Sequence, residues 1–141
     1  MTRSTIDSTV ACDRALPVRI LVVDDEAGVR RAVARSLTAV GYDVTCAQSG
    51  EEALQVAADA SPSFDLVISD IMMPGMSGVD LVERLQQADD RLRVMLISGY
   101  PGSHLAEVAR SKGNFDLLEK PFSPAQLTAR VNERIAPSRG R

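Results

Sequence analysis

Five short apolar runs, "RILVV" at 19–23, "YDVTC" at 42–46, "DLVIS" at 65–69, "RVMLI" at 93–97 and "FDLLE" at 115–119, are separated by longer stretches whose apolar residues recur at helical spacing. Unbroken Val, Ile and Leu, rather than in-and-out alternation, is the pattern of strands covered on both faces. Strands alternating with helices also favour right-handed crossovers between parallel neighbours. The expected fold is therefore α/β, a doubly wound five-stranded parallel sheet in three layers. A chain of 141 residues has room for one such domain.

The intervening helices carry their own start and stop signals. Val29, Val33, Leu37 and Val40 share one face, with Gly41 as the stop. Ser49 and Glu52 form a capping-box pattern ahead of Ala53, Val56, Ala57 and Ala60. Ser77 with Asp80 opens a third helix bearing Val79, Val82 and Leu85. A weaker fourth pattern near 103–111 has Leu105, Val108 and Ala109 as its apolar markers. The fifth starts at Ser123 with Pro124 in the first helical position, then repeats Leu127, Val131 and Ile135.

Residues 1–18 are rich in Ser and Thr without periodicity and read as a flexible tail, 19–136 as the domain, and 137–141 as a short polar tail. No segment remains for an output domain, so any downstream action is expected through the domain's own surface. The leader lacks an apolar core long enough for a signal peptide, and nowhere do eighteen apolar residues run together, so a cytoplasmic chain without membrane insertion is expected. Cys12 and Cys46 lack a CxxC partner, and with His104 the single histidine a zinc site would want for ligands. A formal charge of −3 and a pI near 5.1 argue against direct binding to nucleic acid.

In open parallel sheets ligands bind beyond the carboxyl ends of the strands. Asp24 and Asp25 follow the first run, Asp70 the third, Ser98 and Gly99 the fourth, and Lys120 and Pro121 the fifth, while the edge run ends in Cys46 and Ala47. Singly, such residues cap helices or face solvent. Together, three carboxylates at one sheet edge repel by about 1 kcal/mol per close pair in a water-like medium, and more in a drier one. A hard divalent cation such as Mg2+ suits that set. Lys120 and Ser98 would then serve a phosphoryl group, with Asp70, on the central strand, as the nucleophile.

At this point the motifs carry a resemblance. "LVVDDE" at 21–26, "SDIMMPGMSG" at 69–78, "LISGY" at 96–100 and "EKPF" at 119–122 stand in order and at family spacing. From about 19 to 136 the chain resembles the receiver domain of two-component response regulators and is similar in extent to the stand-alone chemotaxis regulator. The resemblance implies a flavodoxin-like (βα)5 sheet in the order 2-1-3-4-5. It implies that Asp70 accepts a phosphoryl group from a phosphohistidine on a sensor histidine kinase or a phosphotransfer protein. Asp25, Asp70 and the backbone carbonyl of Met72 would hold Mg2+, with Asp24 reaching it through water. Ser98 would take the hydroxyl switch position, Lys120 would contact the phosphoryl group, and the Lys120–Pro121 bond would be cis. Signalling would pass to a downstream protein target, as a monomer or a phosphorylation-dependent dimer, with action as a relay or phosphate sink also in keeping.

Within "IMMPGMSG", Pro74 and Gly75 read as a turn, Gly78 as a site of close approach, and the side chains of Met72, Met73 and Met76 as gap-filling packing. The chain departs from the family pattern at Leu117, where a switch aromatic usually stands. Phe115, two residues earlier, is set aside as a substitute because equivalent orientation is expected only with a bulge. Tyr100 suits either signalling or loop packing, and His104 a helix surface. Bulky Met72 and Tyr100 flank the expected route of attacking water, which implies slow self-dephosphorylation. Two other classes stand as alternatives. A dehalogenase-like aspartyl-phosphate phosphatase needs a second acid where Met72 stands. A pseudo-receiver scaffold would fold without being phosphorylated.

Overall fold

The computed structural model describes residues 17–60, 63–99, 104–112 and 115–139. Strands and helices alternate along them: β1 Arg19–Val23, α1 Ala27–Ala39, β2 Asp43–Ala47, α2 Gly50–Asp59, β3 Leu66–Asp70, α3 Gly78–Ala88, β4 Arg93–Ser98, α4 His104–Lys112, β5 Asp116–Glu119 and α5 Pro124–Arg139. The sheet is parallel throughout and ordered β2-β1-β3-β4-β5, as expected. Cys12, Tyr100 and the side chains of His104 and Leu105 lie outside the described residues.

The unbroken apolar runs divide by parity. Ile20 and Val22 of β1 join Val33 and Leu37 of α1 and Leu127, Val131 and Ile135 of α5 on one side of the sheet. Leu21 and Val23 turn the other way, to Ala53 of α2, Val79, Leu81, Val82 and Leu85 of α3, and Ala106 and Ala109 of α4. Each large side chain so covered contributes about 1.5–3 kcal/mol. A one-residue slip of β1 would exchange the two sets, so packing on both faces fixes the register.

The caps form as read. Ser49 Oγ accepts from the Glu52 N–H at 3.1 Å, while Glu52 Oε1 accepts from the Gln48 N–H at 2.8 Å. Ser77 Oγ accepts from the Asp80 N–H at 3.1 Å. At α5, Ser123 Oγ accepts from the Gln126 N–H and Gln126 Oε1 accepts from the Ser123 N–H, a reciprocal capping box.

Several boundaries differ from the reading. Val18, assigned to the leader, is buried and its carbonyl accepts from the Asp43 N–H, so packing begins before 19. Val40 is 54% exposed because α1 ends at Ala39 and the apolar stripe ends with it. Leu81 was not among the expected core positions, yet it is fully buried against the sheet. Helix α5 continues to Arg139 rather than stopping near Ile135. Pro137 forfeits one N–H there, but its fixed φ is itself helical. Among the described residues no helix is long and apolar enough to cross a membrane.

Candidate functional site

Strand register assembles the site. Val23 pairs with Ser69, so the turn after β1 puts Asp24 and Asp25 beside Asp70 at the end of β3. Asp70 pairs with Ile97, and Ser98 with Glu119, which brings Ser98 and Lys120 to the same edge. The Ser98 carbonyl accepts from the Lys120 N–H at 2.8 Å, and the Ile97 carbonyl from the Ile71 N–H at 3.0 Å. Both Asp70 and Ser98 end their strands from within rather than following them.

Asp24, Asp25 and Asp70 each offer a carboxylate oxygen, all within 4.8 Å of one another. Asp24 is 2% exposed and Asp70 6%, whereas Asp25 faces solvent. Lys120 Nζ lies 3.6 Å from Asp70 Oδ2, and Asp70 Oδ1 accepts from the Met72 N–H at 3.3 Å. The Lys120–Pro121 peptide is cis. The open cleft above these groups is lined by Asp25, Glu26, Asp70, Met72, Gly99, Lys120 and Pro121.

Burial pushes the Asp70 carboxyl above its ordinary value, aided by the charge of Asp25; Lys120 and the Met72 N–H oppose it. Burial likewise raises Asp24, with Asp70 and Asp25 adding to it against the Glu26 N–H and Lys120. Asp24 Oδ1 accepts from the Glu26 N–H at 2.9 Å, but the buried Oδ2 has no hydrogen-bond partner. A buried oxygen left this way is costly. An all-oxygen donor set with one such orphan fits a hard divalent cation.

Two supports went unread in the sequence. Arg30 Nη1 donates to the Asp24 carbonyl at 2.7 Å, pinning the acidic turn from α1. A six-residue offset across a turn has no periodic signature that could have pointed to it. Glu26, at the α1 N-cap without a side-chain cap bond, instead supplies the N–H to Asp24. Phe115 corrects an expectation: the β4–β5 pairing runs evenly from Met95–Asp116 to Ser98–Glu119, and Phe115 and Leu117 pack on the same side of the sheet without a bulge. Two residues apart on an extended chain is one full period.

The family model for the response regulator receiver domain matches residues 20–132. The chain belongs to that family. Response regulator MprA of Mycobacterium sp. (strain KMS) is 37% identical over 128 residues, spanning 89% of this chain and 55% of that protein. Sensor kinase CckA of Brucella abortus is 34% identical over 125 residues, or 89% of this chain and 13% of the kinase. The chain thus spans about half the length of a regulator such as MprA. Among solved structures, a CheX–CheY–BeF3–Mg2+ complex from Borrelia burgdorferi superposes with a TM-score of 0.77 at 29% identity, covering 86% of this chain and 91% of that one. Receiver domains of this family serve phosphorylation-based two-component signalling, and phosphorylation at an aspartate is their general mechanism.

Proposed function

We propose that Asp70 is the phosphoryl acceptor and that the reaction requires Mg2+. A carboxylate oxygen of Asp70 attacks phosphorus, the P–N bond of the donor's phosphohistidine breaks, and the imidazole leaves with the electron pair. The product is an acyl phosphate on Asp70. Asp25, Asp70 and the Met72 carbonyl would hold the cation, with Asp24 through water; bound there, Mg2+ would neutralise charge on the transferring group. Lys120 balances the same charge from the opposite side, and the Ser98 hydroxyl offers a phosphoryl oxygen a hydrogen bond. The ion pair of Lys120 with Asp70 beside two further acids, at the floor of an open cleft, carries this reading. The Mg2+ and BeF3 named for the Borrelia complex support it.

The donor is a sensor histidine kinase or a histidine phosphotransfer protein. Next to the cleft, an apolar groove between α1 and the start of α5 is lined by Val29, Ala32, Ser36, Phe122, Pro124 and Leu127 and shares Lys120 and Pro121 with the cleft. A protein carrying a phosphohistidine to Asp70 would rest on that groove. The phosphorylated domain then signals by protein contact or passes the group on as a relay or sink. A phosphatase reading has no support at Met72, which offers no acid where one is required.

Intact-mass analysis after incubation with acetyl phosphate tests the proposal. One phosphoryl group should be gained with Mg2+, and none without Mg2+ or in Asp70→Asn. No gain by the native chain from either acetyl phosphate or a phosphohistidine protein would leave the pseudo-receiver scaffold.

A further inference from the structure

The loop between β3 and α3 carries Met72, and its far end is held from an unexpected quarter. Met76 is half-buried against the core, and its side chain lies directly on Gly50, the first residue of α2. A Cβ at Gly50 would stand 2.9 Å from Met76 Sδ, 3.0 Å from its Cβ and 3.1 Å from its Cγ. Because the Cβ of Met76 is among the close atoms, rotating the side chain cannot relieve the crowding, and the loop backbone itself would have to move. The α2 side cannot give way easily. Gly50 is buried, Ser49 caps the helix, Glu52 Oε1 accepts from the Gln48 N–H, and Ala53 is packed in the core.

The near end of the loop is held separately. The Gly78 N–H donates to the Ile71 carbonyl at 2.9 Å. Between the two anchorages, Gly75 turns the chain at φ +77°, and Glu51 Oε2 of α2 is 3.6 Å from where its Cβ would be. The segment containing the Met72 carbonyl is therefore suspended between α3 and the first turn of α2.

We infer that the Gly50–Met76 contact positions the Met72 carbonyl for the cation, making these two positioning residues for Mg2+ rather than packing alone. This rests on the receiver reading above. Crowding at Gly50 should displace the carbonyl and weaken Mg2+ binding, and trimming Met76 to alanine in the same chain should let the loop return part of the way, because it removes the Sδ and Cγ contacts and leaves only the Cβ at 3.0 Å.

The test is calorimetric titration of Mg2+ into the unphosphorylated full chain, with urea denaturation in metal-free buffer alongside. Gly50→Ala is expected to bind Mg2+ about tenfold more weakly, the scale seen when outer supports of a metal site are disturbed. The double variant Gly50→Ala with Met76→Ala, which keeps only the Cβ contact, should regain part of that loss. If Gly50→Ala fails to fold, Met76→Ala alone should bind about threefold more weakly through the loosened loop. Native affinity in Gly50→Ala or Met76→Ala, with or without a fall in the denaturation midpoint, would overturn the inference by reducing the contact to packing. A double variant as weak as Gly50→Ala, or a native chain that does not bind Mg2+, would also overturn it. Failure of the native chain to gain a phosphoryl group would instead count against the receiver reading, while the titrations still decide the role of the contact.

Discussion

Gly78 lies so close beneath Asp70 that a Cβ on it would stand 2.2 Å from the Asp70 carbonyl oxygen and 2.9 Å from the carbonyl carbon. Both are backbone atoms of the strand end that carries the proposed acceptor, so neither can swing aside. Gly78→Ala is expected to cost about 3 kcal/mol by urea denaturation, at the upper end for overpacking, and to lower phosphoryl uptake. Native stability in that variant would mean that the helix and strand separate freely.

The raised carboxyls set a pH dependence. A carboxyl raised by folding binds its proton more tightly in the folded state, so its ionisation costs stability as pH rises. For Asp24 that cost is absent below its ordinary value of 3.8, grows as pH rises from there to the raised value, and is complete above it. In metal-free buffer at pH 7, Asp24→Asn should be more stable than the native chain by about 1 kcal/mol, the scale of one close like-charge pair. The gap should shrink on acidification towards pH 4, and saturating Mg2+ should reverse the order. Urea titrations across that range check this; a gap independent of pH contradicts it.

Met72 is 45% exposed at the rim of the cleft while its N–H is committed to Asp70 Oδ1. A thioether there would shield an acyl phosphate on Asp70 from water without offering a base. Once phosphorylated, the chain should keep its label for minutes or longer, and Met72→Asn should shed it at least about threefold faster. Loss from the native chain within seconds in Mg2+ would contradict this.

If the groove between α1 and α5 seats the donor, it should matter only to protein donors. Ala32→Glu places a charge on its exposed α1 wall. Transfer from a histidine kinase that phosphorylates the native chain should fall about tenfold, a loss of the size expected for a charge buried at an interface. Uptake from acetyl phosphate should stay level. Equal loss with both donors would place the damage in the site rather than in docking.

What could be read from the sequence was set by local chemistry and period. The five strands, the caps at Ser49, Ser77 and Ser123, and the convergence of Asp24, Asp25, Asp70, Ser98 and Lys120 follow from apolar runs, hydroxyl spacing and the rule for parallel sheets. The Asp70–Gly78 approach was anticipated in kind, because a glycine just inside a helix asks for an explanation. Arg30 on the Asp24 carbonyl and Met76 on Gly50 were not, since each joins residues through the turns and packing of the finished fold. Val40 misled because periodicity says which face a residue occupies and not where the helix stops. Phe115 misled because its place on the Leu117 side depended on how the chain enters β5.

Asp70, and no other carboxylate of the acidic cluster, is the proposed acceptor. Borohydride reduction of the phosphorylated chain converts an aspartyl phosphate to an alcohol, which peptide mass mapping can locate. The reduced residue is expected at position 70 alone, and only after incubation with Mg2+ and donor. Reduction at position 24 or 25, or at none of the three in a chain that has gained a phosphoryl group, would contradict it.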